Sequence, residues 1–355
     1  MRIGRKPCGL ERVRDRAHWL WRGLAEALAM FPAKIIPCLI VRATVRRASL
    51  LGLLFGLVGS SVRANVPASA PLSREMVEIL TQFYAYDKAL PLDVRIAEKS
   101  AIAGNPRDKF VFTSQAGDRV PGLLVFPKQA TGPVPCVVLL HGMGGSKDAW
   151  WRADNFSRNL APRLVESGFA VMMLDAPFSG ERTQMGDFDN PNTFMTPQRT
   201  LPVRLRDMIL RAAVDYRRAL NYLETRPEID AKRIGAVGYS MGGVAINNLM
   251  AVEPRFKAAV ACVAPPFSRQ ARMAAGPAMA GMDAVAPGNF APLLGDRPIL
   301  YLMGTTDVYY TKEEAEEMVS TIPGTAKQLK FFESGHQLPP EYIDDAIAWM
   351  RTHLQ

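Results

Sequence analysis

From residue 108 to the C-terminus, short apolar runs of strand length alternate with segments of helical periodicity, and few folds accommodate that order. It is the pattern of a mostly parallel sheet with crossover helices on both faces. Strands are predicted at 109–114, 120–126, 135–140, 170–174, 233–239, 258–263, 298–303 and 328–332, about eight in all. The first two are joined by the turn Gln115-Ala116-Gly117-Asp118 as an antiparallel hairpin, and the later ones read as continuous apolar runs, as strands covered on both faces do. Helices are predicted at 156–167, 203–225, 241–251, 312–321 and 340–353. The helix of 203–225 carries Leu205, Met208, Ile209, Ala212, Tyr216, Leu220 and Leu223 at three- and four-residue steps, and Arg226-Pro227 ends it. A further short helix, 72–86, is expected to pack on this body. Two stretches break the alternation, 177–202 and 269–292. Inserts of that length in a compact domain are usually lids or binding loops, and both should roof the same cleft at the carboxyl edge of the sheet.

The net charge of +9 suggests nucleic acid only until it is located. Twelve of the 43 basic residues but three of the 34 acidic ones fall in residues 1–64, so the remaining chain carries equal numbers of each. Without clustered positive charge there is no groove for phosphates, and no nucleic-acid partner is expected. The basic segment ends in Arg46-Arg47 and is followed by an apolar run at 48–59, too short for an ordinary bilayer span, then by small residues at Val62 and Ala64. This is the anatomy of an export signal cleaved after Ala64, with translation starting at Met30. The domain organisation predicted is a leader at 1–64, an N-terminal extension at 65–107 that packs on the body, and a catalytic domain at 108–355. Export to the periplasm or medium, with no stable membrane association after cleavage, follows from that reading. Cys136 and Cys262 are the cysteines left in the body; they should lie on strands flanking the one that leads to Ser240, too far apart for a disulfide, and so be buried free thiols. No Cys/His cluster has metal-ligand spacing.

The chemistry starts at Gly238-Tyr239-Ser240-Met241-Gly242-Gly243, which follows a buried strand and opens a helix. A serine on such a turn must adopt strained backbone angles, and the glycines on either side give it room. Its Oγ then projects beside a helix N-terminus, whose free amides favour developing negative charge. The serine needs a base. Of the histidines in the body, His353 is near the C-terminus on the closing helix, and His141 ends a buried strand where it would brace a loop. His336, in the loop after the last strand, is the general base by elimination. Asp307, after the preceding strand, is the orienting acid, with Asp175 as its competitor. The order Ser240, Asp307, His336 is the one expected of an α/β-hydrolase. Oxyanion donors are predicted at the amide of Met241 and, from the glycine-rich loop after strand 135–140, that of Met143, with Gly142 or Gly144 as substitutes. Trp150, Trp151, Phe178, Phe188 and Phe194 are candidates to line a substrate pocket, as are Met273, Met279 and Met282 for an acyl wall; packing roles compete in each case. Arg182, Arg199, Arg204 and Arg206 read as a solvated face rather than as a site for an acidic substrate.

Val137-Val138-Leu139-Leu140-His141-Gly142-Met143-Gly144-Gly145-Ser146-Lys147, residues 226–243, Gly304-Thr305-Thr306-Asp307 and Ser334-Gly335-His336 together resemble the dienelactone-hydrolase-like and acetyl-xylan-esterase-like α/β-hydrolases, over nearly all of residues 75–355. The resemblance implies a serine carboxylic ester hydrolase that uses no metal or organic cofactor and acts on a small-molecule ester through Ser240, Asp307 and His336. Position 240 is serine where true dienelactone hydrolases have cysteine, which points away from a dienelactone substrate. Prolyl-oligopeptidase-type peptidases resemble this chain only over the catalytic domain. A carboxylesterase or deacetylase is the first functional reading; a peptidase, amidase or thioesterase using the same residues is the second, and a catalytically idle binding module the third.

Overall fold

The computed structural model describes residues 72–183, 202–269, 271–272 and 281–355, all within one compact unit, Ala68–Gln355. The leader and its export signal lie outside the described residues, as do Phe188, Phe194, Arg199, Met273 and Met279, most of the first long insert, and residues 270 and 273–280 of the second, whose described remainder packs into the core through Met282, Val285, Phe290 and Ala291.

Nine strands form one sheet. They are β1 (Arg95–Ile102), β2 (Asn105–Thr113), β3 (Arg119–Val125), β4 (Val134–Leu140), β5 (Ala170–Leu174), β6 (Ile229–Tyr239), β7 (Phe256–Cys262), β8 (Ile299–Gly304) and β9 (Lys327–Phe332). Their spatial order is β1-β2-β3-β5-β4-β6-β7-β8-β9; the pairs from β1 to β5 are antiparallel and the rest parallel. The helices used below are α1 (Arg74–Thr81), α2 (Leu160–Glu166), α3 (Pro202–Leu223), α4 (Met241–Val252), α5 (Pro287–Phe290), α6 (Lys312–Ser320) and α7 (Tyr342–Leu354).

All eight predicted strands are present, and β1 is an addition. It lies in the segment assigned to an N-terminal extension, so the sheet begins before residue 108 and that boundary does not separate two parts. Its sequence hides it: Arg95–Ile102 is mostly exposed and has no apolar alternation. The signal is instead in the turn, where Ala103 and Gly104 both take positive φ (48° and 77°) and connect β1 to β2 as a two-residue hairpin. Charged residues and a bulge between Ile96 and Glu98 protect this edge from pairing with another chain. The rest of the extension is anchored from below by Arg218, fully buried, whose guanidinium donates to the carbonyls of Asp87, Leu90, Pro91 and Thr113.

The chain crosses in opposite directions from β4, to β5 on one side and to β6 on the other, and this reversal opens a crevice at the carboxyl ends of β4 and β6. Helices close on this sheet so tightly that β6 carries glycine on both faces. A Cβ on Gly235 would strike Leu354 and Met350 of α7, and one on Gly238 would overlap the backbone of Gly242 in α4. Cys136 and Cys262 sit on β4 and β7, on either side of β6, as buried free thiols. Among the described residues no helix is long and apolar enough to cross a membrane.

Candidate active site

Ser240 stands between the end of β6 and the first residue of α4, at φ 56° and ψ −117°. A non-glycine residue there is strained, and strain of this kind persists only where the surroundings over-determine it. They do so here. The Ser240 amide donates to the Cys262 carbonyl at 2.8 Å, its carbonyl accepts from Val244 at 3.0 Å, and a Cβ on Gly242 would overlap the carbonyl of Leu140 at the end of β4. Gly243 packs less tightly against Ala264 and Cys262, where a Cβ would lie 2.9 and 3.0 Å away. The turn is thus wedged between the neighbouring strands, and Ser240 has one way to project.

The loops after β8 and β9 deliver the other two groups. His336 Nε2 is 2.8 Å from Ser240 Oγ, and His336 Nδ1 is 2.7 Å from Asp307 Oδ2. In the neutral imidazole, Nδ1–H donates to the carboxylate and Nε2 is free to accept the serine hydroxyl. The Asp307 side chain is fully buried, and its second oxygen accepts the Tyr309 amide at 2.9 Å. The two loops lie backbone on backbone: Thr305 and Thr306 donate to the carbonyls of Phe332 and Ser334, and a Cβ on Gly304 would overlap Gly335 and Ser334. Burial and the neighbouring Asp307 charge push the Tyr310 phenol up, and its oxygen accepts the Gly304 amide. Sequence reasoning passed over Tyr239, the residue just before the serine. Its hydroxyl donates to the His336 carbonyl at 3.1 Å and accepts the Leu338 amide at 2.8 Å, so β6 holds the histidine loop directly. Burial pushes this phenol up, which keeps it a neutral donor.

The glycine-rich loop after β4 runs against the serine. A Cβ on Gly142 would lie 3.2 Å from Ser240 Cβ and 3.9 Å from its Oγ, so a side chain here would crowd the serine. The Met241 amide, first in α4, has no intrahelical acceptor and lies at the positive end of that helix. His141 braces the loop as anticipated: Nδ1 donates to the Gly142 carbonyl at 2.7 Å and Nε2 accepts the Ala176 amide at 3.1 Å. Its burial holds the imidazole below the usual histidine range, against the opposing pull of that hydrogen bond and of Asp175.

Asp175 is elsewhere engaged. Its carboxylate accepts the Lys147 amide (2.8 Å), the Lys147 ammonium (2.9 Å) and the Glu181 amide (3.0 Å), and Gly180 leaves room for it. The competitor for the acid role is therefore a brace joining the loops after β4 and β5, and Lys147 is the partner that sequence reasoning did not single out.

Three aromatic candidates separate. Trp150 is fully buried and stands edge-on to Phe156, which in turn packs on Tyr239; it is a core residue, which corrects the pocket assignment. Trp151 is partly buried against the same core. Phe178, at φ 63°, lies under the Arg204 guanidinium at 4.5 Å and borders a polar depression with Asp118, Arg119, Arg182 and Arg211, whose walls include none of Ser240, Asp307 or His336. Met282 is buried in the core. The side chain of Arg182, read as part of a solvated face, is largely buried and pairs with Asp215 at 2.7 Å and Asp118 at 3.3 Å. Among the described residues no group of His, Cys, Asp and Glu is arranged to hold a metal ion.

A mostly parallel sheet, a strained serine at the strand-to-helix turn of its central crevice, and an acid and a histidine on the loops of two later strands define an α/β-hydrolase. Residues 120–337, more than half of the chain, match the model of the dienelactone hydrolase family, and the chain belongs to that family. It is 25% identical over 222 residues to an uncharacterized protein of Pseudomonas aeruginosa, an overlap covering 62% of this chain and 50% of that protein. It is also 25% identical over 256 residues to the esterase YjfP of Escherichia coli, covering 66% of this chain and 96% of that one. The chain thus spans half the length of the first relative and nearly all of the second. Among solved structures, acetyl xylan esterase 1 from Thermoanaerobacterium sp. shares the fold with a TM-score of 0.63 at 17% identity, over 80% of this chain and 95% of that one.

Proposed function

We propose that the protein is an exported serine esterase that cleaves small carboxylic esters, acetyl esters among them, through an acyl-enzyme on Ser240. The observation that carries this reading is the unbroken hydrogen-bonded chain from Ser240 Oγ through His336 to Asp307, at 2.8 and 2.7 Å. Ser240 Oγ attacks the ester carbonyl carbon while its proton passes to His336 Nε2. Asp307 holds the imidazole in the tautomer that can accept that proton and offsets the charge that results. The carbonyl oxygen, now anionic, is received by the Met241 amide and by an amide of the loop after β4, that of Met143 in this reading. The C–O bond to the alcohol then breaks and the imidazolium proton leaves on the alcohol oxygen. Water attacks the acyl-enzyme with His336 again as base, and the carboxylic acid departs as Ser240 recovers its proton. The names of the Escherichia coli and Thermoanaerobacterium relatives agree with an esterase, and the leader's charge and apolar pattern support export.

The test is hydrolysis of p-nitrophenyl acetate beside a peptide anilide and an acyl thioester. The ester should be turned over with the highest kcat/KM. Ser240→Ala and His336→Ala should lose on the order of 10³-fold or more in kcat, and Asp307→Asn somewhat less, because its imidazole is misoriented rather than missing. Faster turnover of the anilide or thioester would move the assignment to a peptidase, amidase or thioesterase, and a Ser240→Ala variant as active as the parent would refute it.

A further inference from the structure

The loop that carries Asp307 continues into two apolar side chains with little cover: Val308 is 84% exposed and Tyr309 48% exposed. Leaving them in water forgoes the stabilisation that burial would give, and here they stand beside the reactive centre. Tyr309 is not a loose side chain. Its amide is bonded to Asp307 Oδ1 at 2.9 Å, and its ring stands edge-on to the His336 imidazole, with centroids 4.7 Å apart and planes at 70°. The imidazole is bordered by a second ring as well, that of Tyr239 at 6.4 Å, but that ring is buried. The His336 side chain is itself 28% exposed, and of the two rings beside it only that of Tyr309 also meets solvent.

The reaction assigns meaning to that position. The proton taken up at His336 Nε2 is delivered to the departing alcohol oxygen, so the alcohol must come within hydrogen-bond reach of this nitrogen. The acyl oxygen points the other way, to the amides beside Ser240. A side chain bordering the open flank of His336 therefore meets the alcohol half of the ester. We propose that Tyr309, with Val308 beside it, forms a leaving-group subsite that takes an alcohol with a flat apolar face, such as a benzyl or aryl group or the C–H face of a pyranose. This deepens the esterase reading and rests on it. A tyrosine suits the task because it offers a large contact area with few rotatable bonds, and its tip can stay in water.

The experiment compares acetate esters that differ only in the alcohol. Ethanol and benzyl alcohol are similar in acidity, so ethyl acetate and benzyl acetate differ mainly in what can touch the subsite; an acetylated methyl xyloside is the third substrate. For Tyr309→Ala, the preference for benzyl over ethyl acetate should fall by about three- to tenfold in kcat/KM, the effect of one aromatic contact, and mostly through KM. The xyloside should follow the benzyl ester, and Tyr309→Phe should keep the parent's preference. Ethyl esters of increasing acyl length should keep their relative order in Tyr309→Ala. An equal fall for all the alcohols would mean that the ring only shields the His336–Asp307 pair, and a changed acyl-length order would put the ring on the acyl side; either overturns the proposal. Ser240→Ala in the same assay keeps the two claims apart. If activity survives without the Ser240 hydroxyl, the esterase mechanism fails; if it is lost while Tyr309→Ala leaves the alcohol preference where it was, only the subsite fails.

Discussion

An ammonium with 2% of its side chain exposed stays charged only if carboxylates repay its lost hydration, and Lys147 has three within 3.1 Å: Asp148, Asp175 and Glu181. Burial alone would push this group down; the hydrogen bonds and charges of Glu181 and Asp175 outweigh it and hold it above the usual lysine range. Asp175 is fully buried and depends on the same pair. Lys147→Met should therefore destabilise the fold by about 3–5 kcal/mol, because it strands a buried carboxylate, whereas the double variant with Asp175→Asn should recover part of that loss. Urea unfolding of the parent, both single variants and the double variant measures the coupling; additive losses would mean that the pair does not act as a unit. At this scale, the residues that spacing could reveal were those whose chemistry is rare. Few histidines are available, so elimination led to His336, and Ser240 is framed by glycines. Tyr239 and Lys147 were not legible, because a tyrosine within a motif and a lysine in a loop are common. Their partners, the His336 carbonyl and the Asp175 carboxylate, are distant in sequence.

Elements were legible where one physical signal dominated. The central strands β4 and β5 are apolar throughout because both faces are covered, and the turn at Gln115–Asp118 carries its own glycine. β1 offers neither burial nor alternation, and the only cue to it was Gly104. Trp150 misled for the opposite reason: an aromatic residue in a loop after β4 looked available for a pocket, yet that segment, a 3₁₀ turn at Lys147–Trp151, folds inward. Glycines around the site do two different jobs, and variants can tell them apart. Gly144 has φ 74° and open space around its Cα, so Gly144→Ala should cost about 1–2 kcal/mol of backbone strain alone. Gly242→Ala forces a methyl into the Leu140 carbonyl and should cost more than about 2 kcal/mol and depress activity with it. Thermal unfolding of the two variants decides the matter; equal shifts in Tm would contradict the close contact between α4 and β4.

Across the whole molecule, the sheet acts as a frame that brings distant loops to one edge. Ser240 follows β6, Asp307 follows β8 and His336 follows β9, while the loop after β4 lies against the serine. The parallel order makes this unavoidable, since the carboxyl ends of these strands face the same way. Topology of this kind could be inferred from the alternation of elements, and with it the partnership of three residues on separate loops. Most of the first long insert and residues 273–280 of the second fall outside the described residues, so the substrate's identity is approached through Tyr309 and the reaction itself. The central claim is that Ser240 carries the acyl group during turnover. Rapid acid quenching during the hydrolysis of p-nitrophenyl acetate, followed by peptide mass analysis, reads this directly. The account predicts an acetyl group on the peptide that contains Ser240, formed in a burst and absent from Ser240→Ala. Steady turnover with the acetyl group on another residue, or undiminished turnover by Ser240→Ala, would contradict it.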